Sequence, residues 1–141
     1  MEKKRLFRIL AKAEEKVVEQ YADEIKDRHE VVVIKKPEKS LAMIKMREPV
    51  KESLFYLGEV MITEAVVELE GKKGIAVMMG DAYERVLAMA VIDAAINADV
   101  FTHMEDLLAL EKKQREQEEK ENAMFMKTKV DFHSMDSEVE V

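Results

Sequence analysis

The fold is decided by residues 54–79, LFYLGEVMITEAVVELEGKKGIAVMM. Past Gly58, apolar positions from Met61 to Leu69 alternate with a second face that carries Glu64 and Glu68. This alternation predicts a strand whose second face is partly solvated. Residues 70–73 (EGKK) then predict a hairpin turn, with a glycine at a position that can take positive φ. Residues 75–79 (IAVMM) are wholly apolar, which predicts a central strand.

Upstream of this stretch the sequence predicts a helical region and two further strands. Apolar residues recur at three- and four-residue steps over residues 3–28, as in one long helix or two shorter ones. Residues 30–36 are rich in β-branched types and precede Pro37, so a strand is expected to end there. Residues 40–46 alternate and predict a second strand before Pro49. With the two strands above, the sheet should have about four strands.

Downstream, residues 80–84 (GDAYE) have the pattern of a helix start, with Asp81 as the expected capping residue. Residues 86–96 are apolar except for Asp93, so this helix should be buried, and it is too short to span a bilayer. Asp93 is expected on a narrow exposed stripe with Arg85 and Asn97, the other interpretation being a hydrogen-bond acceptor for a partner.

The C-terminal part divides into a charged arm and a tail. Residues 111–122 contain no aliphatic or aromatic side chain, and several of their charged residues form i,i+4 pairs of opposite sign. This pattern predicts a solvated helical arm that follows an α+β domain at residues 1–110. Residues 131–141 hold −4 of the net charge of −7. Residues 123–141 therefore form an acidic tail, and its apolar content predicts docking on a partner, through Met124, Phe125, Met126, Val130, Asp131, Phe132 and Met135.

The fold class expected is therefore α+β. It comprises an antiparallel sheet of about four strands, an N-terminal helix, a buried helix, and a long charged C-terminal helix followed by an extended tail.

Composition and motifs argue against several classes of function. The chain has no cysteine, which excludes disulfides and thiolate chemistry, and its acidic balance makes nucleic acid a poor partner. His29, His103 and His133 are widely separated, without the spacing of a metal site. The start of the chain shows no signal-peptide pattern, so a cytoplasmic protein that contacts no membrane is expected. The Gly71–Gly74 segment lies between two strands and is interpreted as a turn rather than a phosphate loop.

Four collinear segments resemble the PhnG family, subunits of the carbon–phosphorus lyase core complex. Residues 57–69 resemble its Leu-Gly-Glu/Asp-x-x-x-Thr-x-Ala-x-Val segment, and residues 74–80 its apolar strand ending in glycine. Residues 86–94 resemble its buried helix, and residues 129–135 its Val-Asp-Phe-x-x-Met signature. The sequence departs from the family pattern at Asp81, where members tend to have arginine, and at His133, where they tend to have an aromatic residue.

The resemblance implies a non-catalytic or supporting subunit in phosphonate metabolism. Such subunits act with PhnI-, PhnH- and PhnL-like proteins in replacing the adenine of ATP by a phosphonate, which gives α-D-ribose 1-methylphosphonate 5-triphosphate. A PhnJ-like subunit later cleaves the carbon–phosphorus bond. It implies two copies per complex, ATP as substrate of the complex, and no catalytic residue, metal or cofactor in this subunit.

A second hypothesis stays open. The chain could be a stand-alone homodimer that binds a small ligand and exchanges its C-terminal tails between identical chains. A well-behaved dimer with a measurable ligand, made without any partner, would favour it.

Overall fold

The computed structural model describes the backbone of residues 1–140 and the side chains of residues 1–127. It is an α+β structure with four helices and a three-stranded antiparallel sheet. The chain divides into two compact units, Met1–His103 and Met104–Val141. The α+β class and the N-terminal helical region are confirmed.

The sheet has three strands rather than the four predicted. β1 (Val31–Arg47) pairs with β2 (Leu54–Leu69), which pairs with β3 (Lys72–Met79), in the order β1-β2-β3. The two upstream strands are one, because Pro37 interrupts the pairing without ending it: the register shifts between Lys35 and Glu38 and then resumes. β1 is an edge strand, where a proline at a bulge costs no ladder hydrogen bond.

β3 is an edge strand, so the prediction of a central strand at residues 75–79 is wrong. Alternate side chains of β3 face the helices, as Ala76 does, while Ile75 and Val77 point to the opposite face and stay about half exposed. The strand is apolar on both faces although only one face is covered within this unit. The turn before it is confirmed: Glu70 and Gly71 both have positive φ, at 49° and 77°, as a two-residue hairpin turn requires.

The first unit has three helices, of which the third packs on the sheet. α1 (Lys3–Lys12) and α2 (Glu15–Arg28) are separate helices, and α3 (Tyr83–Asn97) packs against β2, β3 and α2. The buried side chains of β2, Ala65, Val67 and Leu69, lie on the face predicted from the alternation. α3 is buried as predicted, from Val86 to Ala95 with few exceptions.

The second unit is one helix, α4 (Met104–Glu140). The predicted arm at residues 111–122 lies within it. The prediction of an extended tail is wrong for the backbone of residues 123–140, which is helical. No glycine or proline occurs after Gly80, so no residue in this segment stops a helix that has already formed.

Candidate interaction surfaces

The most distinctive surface is a two-stranded β-ribbon, residues 41–61, which extends beyond the third strand. β3 ends at Met79 opposite Ile62, whereas β1 and β2 continue as a pair to Arg47 and Leu54. At about 3.3 Å per residue, this ribbon projects roughly 25 Å past the end of β3. It consists of the distal parts of two strands and the turn that joins them.

The ribbon exposes large apolar side chains on both of its faces. Ten of them are 38–86% exposed: Leu41, Met43, Ile44, Met46, Val50, Leu54, Phe55, Tyr56, Leu57 and Met61. Exposed apolar side chains that lie next to one another along two paired strands, rather than scattered singly, mark an interaction surface.

The outer edge of β3 is closed by two side chains of α3. The Ile75 N–H donates to Asp93 Oδ2 at 3.1 Å, and Asn97 Nδ2 donates to the Lys73 carbonyl at 2.7 Å. Lys3 of α1 donates to both of these side chains. Asp93 is only 4% exposed, so its expected place on an exposed stripe is wrong. Its role is to occupy backbone groups that would otherwise accept another strand.

Thr63, rather than Asp81, connects the sheet to the start of α3. The buried Thr63 hydroxyl donates to the Gly80 carbonyl at 2.5 Å and lies 3.4 Å from the Ala82 N–H, which donates to it. Asp81 makes no capping hydrogen bond and instead lies 3.6 Å from Lys39 Nζ. The predicted cap is wrong because α3 begins two residues later, at Tyr83, after a turn in which Gly80 has φ +86°. The Thr in the family-like segment therefore has a structural role.

Arg85 is a second polar residue with a structural role that the sequence did not reveal. Its guanidinium group donates to the carbonyls of Leu10, Ala11 and Ala13, at 3.0, 2.8 and 2.7 Å. These carbonyls lie at the C-terminal end of α1, where helix carbonyls lack partners and where a positive charge is favourable. Arg85 therefore joins α1 to α3 and is not on a solvent stripe.

The histidines of the first unit are paired and partly buried. His29 Nδ1 lies 3.0 Å from Glu70 Oε1, at the edge of an open cleft of about 530 Å³ lined by charged side chains. His103 Nε2 lies 2.5 Å from Glu24 Oε2, and its ring stacks on Tyr21 at 4.9 Å. Both contacts tie surface segments to α2 or β2. His133 lies outside the described side chains.

One group of three carboxylates in the described part of the chain is close enough to share a cation: Glu15, Glu19 and Glu84. Burial, together with the negative charges of Glu15 and Glu84, raises the pKa of Glu19. Glu15 and Glu84 are solvent-exposed, and exposed acidic groups of this kind commonly occur without an ion. The cluster is best understood as a local electrostatic cost between α2 and α3.

The predicted docking residues of the tail are only partly described. Met124, Phe125 and Met126 lie on α4 with 72%, 65% and 55% of their surface exposed. Val130, Asp131, Phe132 and Met135 lie outside the described side chains. Partner binding through this segment stays a prediction.

The fold and surfaces define an α+β protein with a large exposed apolar ribbon, a construction typical of a subunit that binds other chains. A family model described as phosphonate metabolism protein PhnG matches residues 1–136, nearly the whole chain. The chain belongs to the PhnG family and has a role in phosphonate metabolism. A search of curated proteins found no match. No helix in the described residues is long and apolar enough to cross a membrane.

Proposed function

We propose that this chain is a supporting, non-catalytic subunit of the carbon–phosphorus lyase system. In this role it is needed for the synthesis of α-D-ribose 1-methylphosphonate 5-triphosphate, in which a phosphonate displaces adenine from ATP. Its partners would be PhnI-, PhnH-, PhnJ- and PhnL-like subunits, with two copies of the chain in each complex.

The observation that carries the proposal is the exposed apolar ribbon in a member of a phosphonate-metabolism family. Monomeric proteins seldom expose a contiguous apolar patch of more than about 300–600 Å², and larger patches mark interaction sites. The polar residues that could have served chemistry have structural partners instead: Asp93 caps the edge of β3, and Arg85 binds the end of α1. A supporting role agrees with both observations.

Complex formation can be tested by co-expression. The chain is produced with a tagged PhnI-like protein, and the complex is purified through that tag. We expect the untagged chain to co-elute in a stable ratio. Elution of the tagged protein alone, with the chain soluble in the unbound fraction, would argue against membership of the complex.

The supporting role can be tested by following adenine release from ATP in the presence of methylphosphonate. We expect release to require this chain, yet to be unchanged in assembled complexes that carry His29→Ala or Glu70→Ala at the charged cleft. Loss of one acid or base that takes part in proton transfer typically costs about 10²-fold or more. A loss of that size in a fully assembled complex would show that this subunit is catalytic.

A further inference from the structure

α4 carries apolar side chains at two places, with only polar ones between them. The first place is its opening turns, where Leu107 is fully buried. The second, which we call the Phe125 group, consists of three residues that are more than half exposed: Met124, Phe125 and Met126. Residues 111–122, between the two places, contain no aliphatic or aromatic side chain.

The two places lie on one face of α4. Phe125 follows Leu107 by 18 residues, and Met126 follows Leu108 by the same number. At about 3.6 residues per turn this spacing is five turns, so each later residue lies directly above the earlier one, about 27 Å along the helix axis. The face that is buried at Leu107 is therefore the face that is exposed at Phe125.

The polar stretch between the two places has the composition of a stiff helix. Residues 111–122 contain neither glycine nor proline, and 11 of the 12 are Glu, Lys, Gln or Arg, which favour helices. Side chains one turn apart interact along the stretch. Arg115 Nη2 lies 3.5 Å from Glu111 Oε1, and Gln117 Nε2 donates to Glu121 Oε1 at 3.2 Å. The helix therefore has local support where its residues are exposed.

We propose that residues 111–122 are a rigid spacer, which presents the Phe125 group to an apolar pocket of a partner subunit on a fixed face of α4 and at a fixed distance from Leu107. This inference rests on the proposed function, because it concerns how the supporting subunit reaches its partner. A segment that is already helical has lost its backbone freedom before it binds, so binding does not have to order it.

Reach alone does not require a helix. Twelve residues of a flexible Gly/Ser tether span about 19 Å on average, close to the roughly 18 Å of a twelve-residue helix. The two differ in direction, because a tether lets the Phe125 group face any way, whereas a helix fixes the face on which the group lies. Experiments that change the face and keep the length therefore separate the two cases.

A two-residue insertion changes the face and hardly changes the length. Two alanines between Lys113 and Gln114 turn the helix after them by about 200° but move it by only about 3 Å. The Phe125 group then points away from its pocket, so we expect the dissociation constant for a PhnI-like protein to rise about tenfold or more. The control places two alanines between Asp136 and Ser137, after every predicted docking residue, and should bind like the parent chain.

A compensating deletion shows whether the face or the insertion itself matters. Removing Glu118 and Glu119 from the chain with the insertion at Lys113 restores the spacing of 18 residues between Leu107 and Phe125. We expect this variant to bind nearly as well as the parent chain. Circular dichroism of each variant shows whether the helix is kept.

The stiffness of the spacer can be measured without a partner. The chain has no cysteine, so Ala109→Cys and Ala123→Cys provide the only two sites for spin labels, and both positions are exposed. Their Cα atoms should lie about 21 Å apart along a continuous helix. We expect a narrow distance distribution by pulsed electron resonance, and a broad one when residues 115–118 are replaced by alternating glycine and serine.

The outcomes separate the spacer from the proposed function. If the parent chain binds a PhnI-like protein and the insertion at Lys113 binds equally well, the spacer is wrong and the proposed function stands. A broad distance distribution in the parent chain also overturns the spacer. A parent chain that does not co-elute with a PhnI-like protein overturns the proposed function and the spacer with it.

Discussion

Gly74 on β3 lies where α3 comes closest to the sheet. A Cβ atom there would overlap the Ala90 carbonyl and the Ala94 N–H, and would lie 2.7 Å from Ala94 Cβ. Because most of these atoms are backbone, only a shift of the whole helix could relieve the overlap. We expect Gly74→Ala to lower the free energy of unfolding by about 3 kcal/mol or more, measured by urea denaturation.

Gly58 provides the matched control for that substitution. It also lies in a strand, but a side chain there would meet nothing within 4 Å, and its φ is not positive. Gly58→Ala should change the free energy of unfolding by less than about 1 kcal/mol. Equal losses for the two variants would contradict the close approach of α3 to β3.

Asp93 and Asp81 test which aspartate of the α3 region matters for stability. Asp93→Ala leaves the Ile75 N–H without an acceptor in a buried site, so we expect a loss of about 2–4 kcal/mol. Asp81 makes one exposed ion pair with Lys39, and Asp81→Ala should cost less than about 0.5 kcal/mol in the same urea experiment. A loss near 1 kcal/mol for Asp81→Ala would mean that it caps α3 after all.

At the scale of the elements, the periodicity of the sequence correctly predicted which faces of individual strands and helices are buried. The alternation in β2 identified its buried face, and the apolar run at residues 86–96 identified a buried helix. The strand count was wrong because a proline ends a central strand but only bulges an edge strand, and the sequence does not state which strand is at the edge. The predicted central position of β3 was wrong for a similar reason. The strand is apolar on both faces, so we expected both faces to be buried, and the sequence does not show which face is left uncovered.

Contacts that link distant segments were also beyond the reach of the sequence. Arg85 binds carbonyls more than 70 positions away, and Thr63 binds the turn after β3. The Thr63 position did carry a signal, since it belongs to the family-like segment, but that signal did not distinguish a structural threonine from a functional one. The sequence feature that could have indicated the ribbon is a pair of neighbouring apolar segments with few charges, at residues 41–46 and 54–57.

The packing of α2 against α3 predicts a pH dependence at Glu19. Burial and neighbouring carboxylates raise the pKa of Glu19, so the folded state favours its neutral form. The corresponding stability is present below the pKa of the unfolded chain and is lost as pH rises through the folded-state pKa. Glu19→Gln stays neutral throughout. In urea titrations across a pH series, we expect it to be more stable than the parent chain at neutral pH.

The advantage of Glu19→Gln should shrink as pH falls, because the parent side chain then becomes neutral as well. Glu105→Gln, at an exposed carboxylate of α4, controls for the change in net charge. A constant difference between Glu19→Gln and the parent at every pH would show that the effect is not electrostatic.

For the whole molecule, the C-terminal segment is the part whose role rests most on sequence. Residues 123–141 combine apolar side chains with an acidic end, since residues 131–141 hold −4 of the net charge of −7, and Phe125 is exposed on α4. We expect deletion of residues 123–141 to weaken co-elution with a PhnI-like partner. The thermal unfolding midpoint should change little, and the helical signal in circular dichroism should fall only in proportion to the helix removed.

A shorter deletion separates apolar docking from charge. Removing residues 137–141 takes away two glutamates but keeps every predicted docking residue, so partner binding should be nearly that of the full chain. If the short deletion weakens partner binding as much as the long one does, the contact depends on charge. Binding of the full chain to the partner should then weaken as salt is added. Loss of the cooperative unfolding transition in the long deletion would instead show that residues 123–141 stabilise their own chain, because a segment that serves only a partner contributes nothing to the unfolding of the isolated protein.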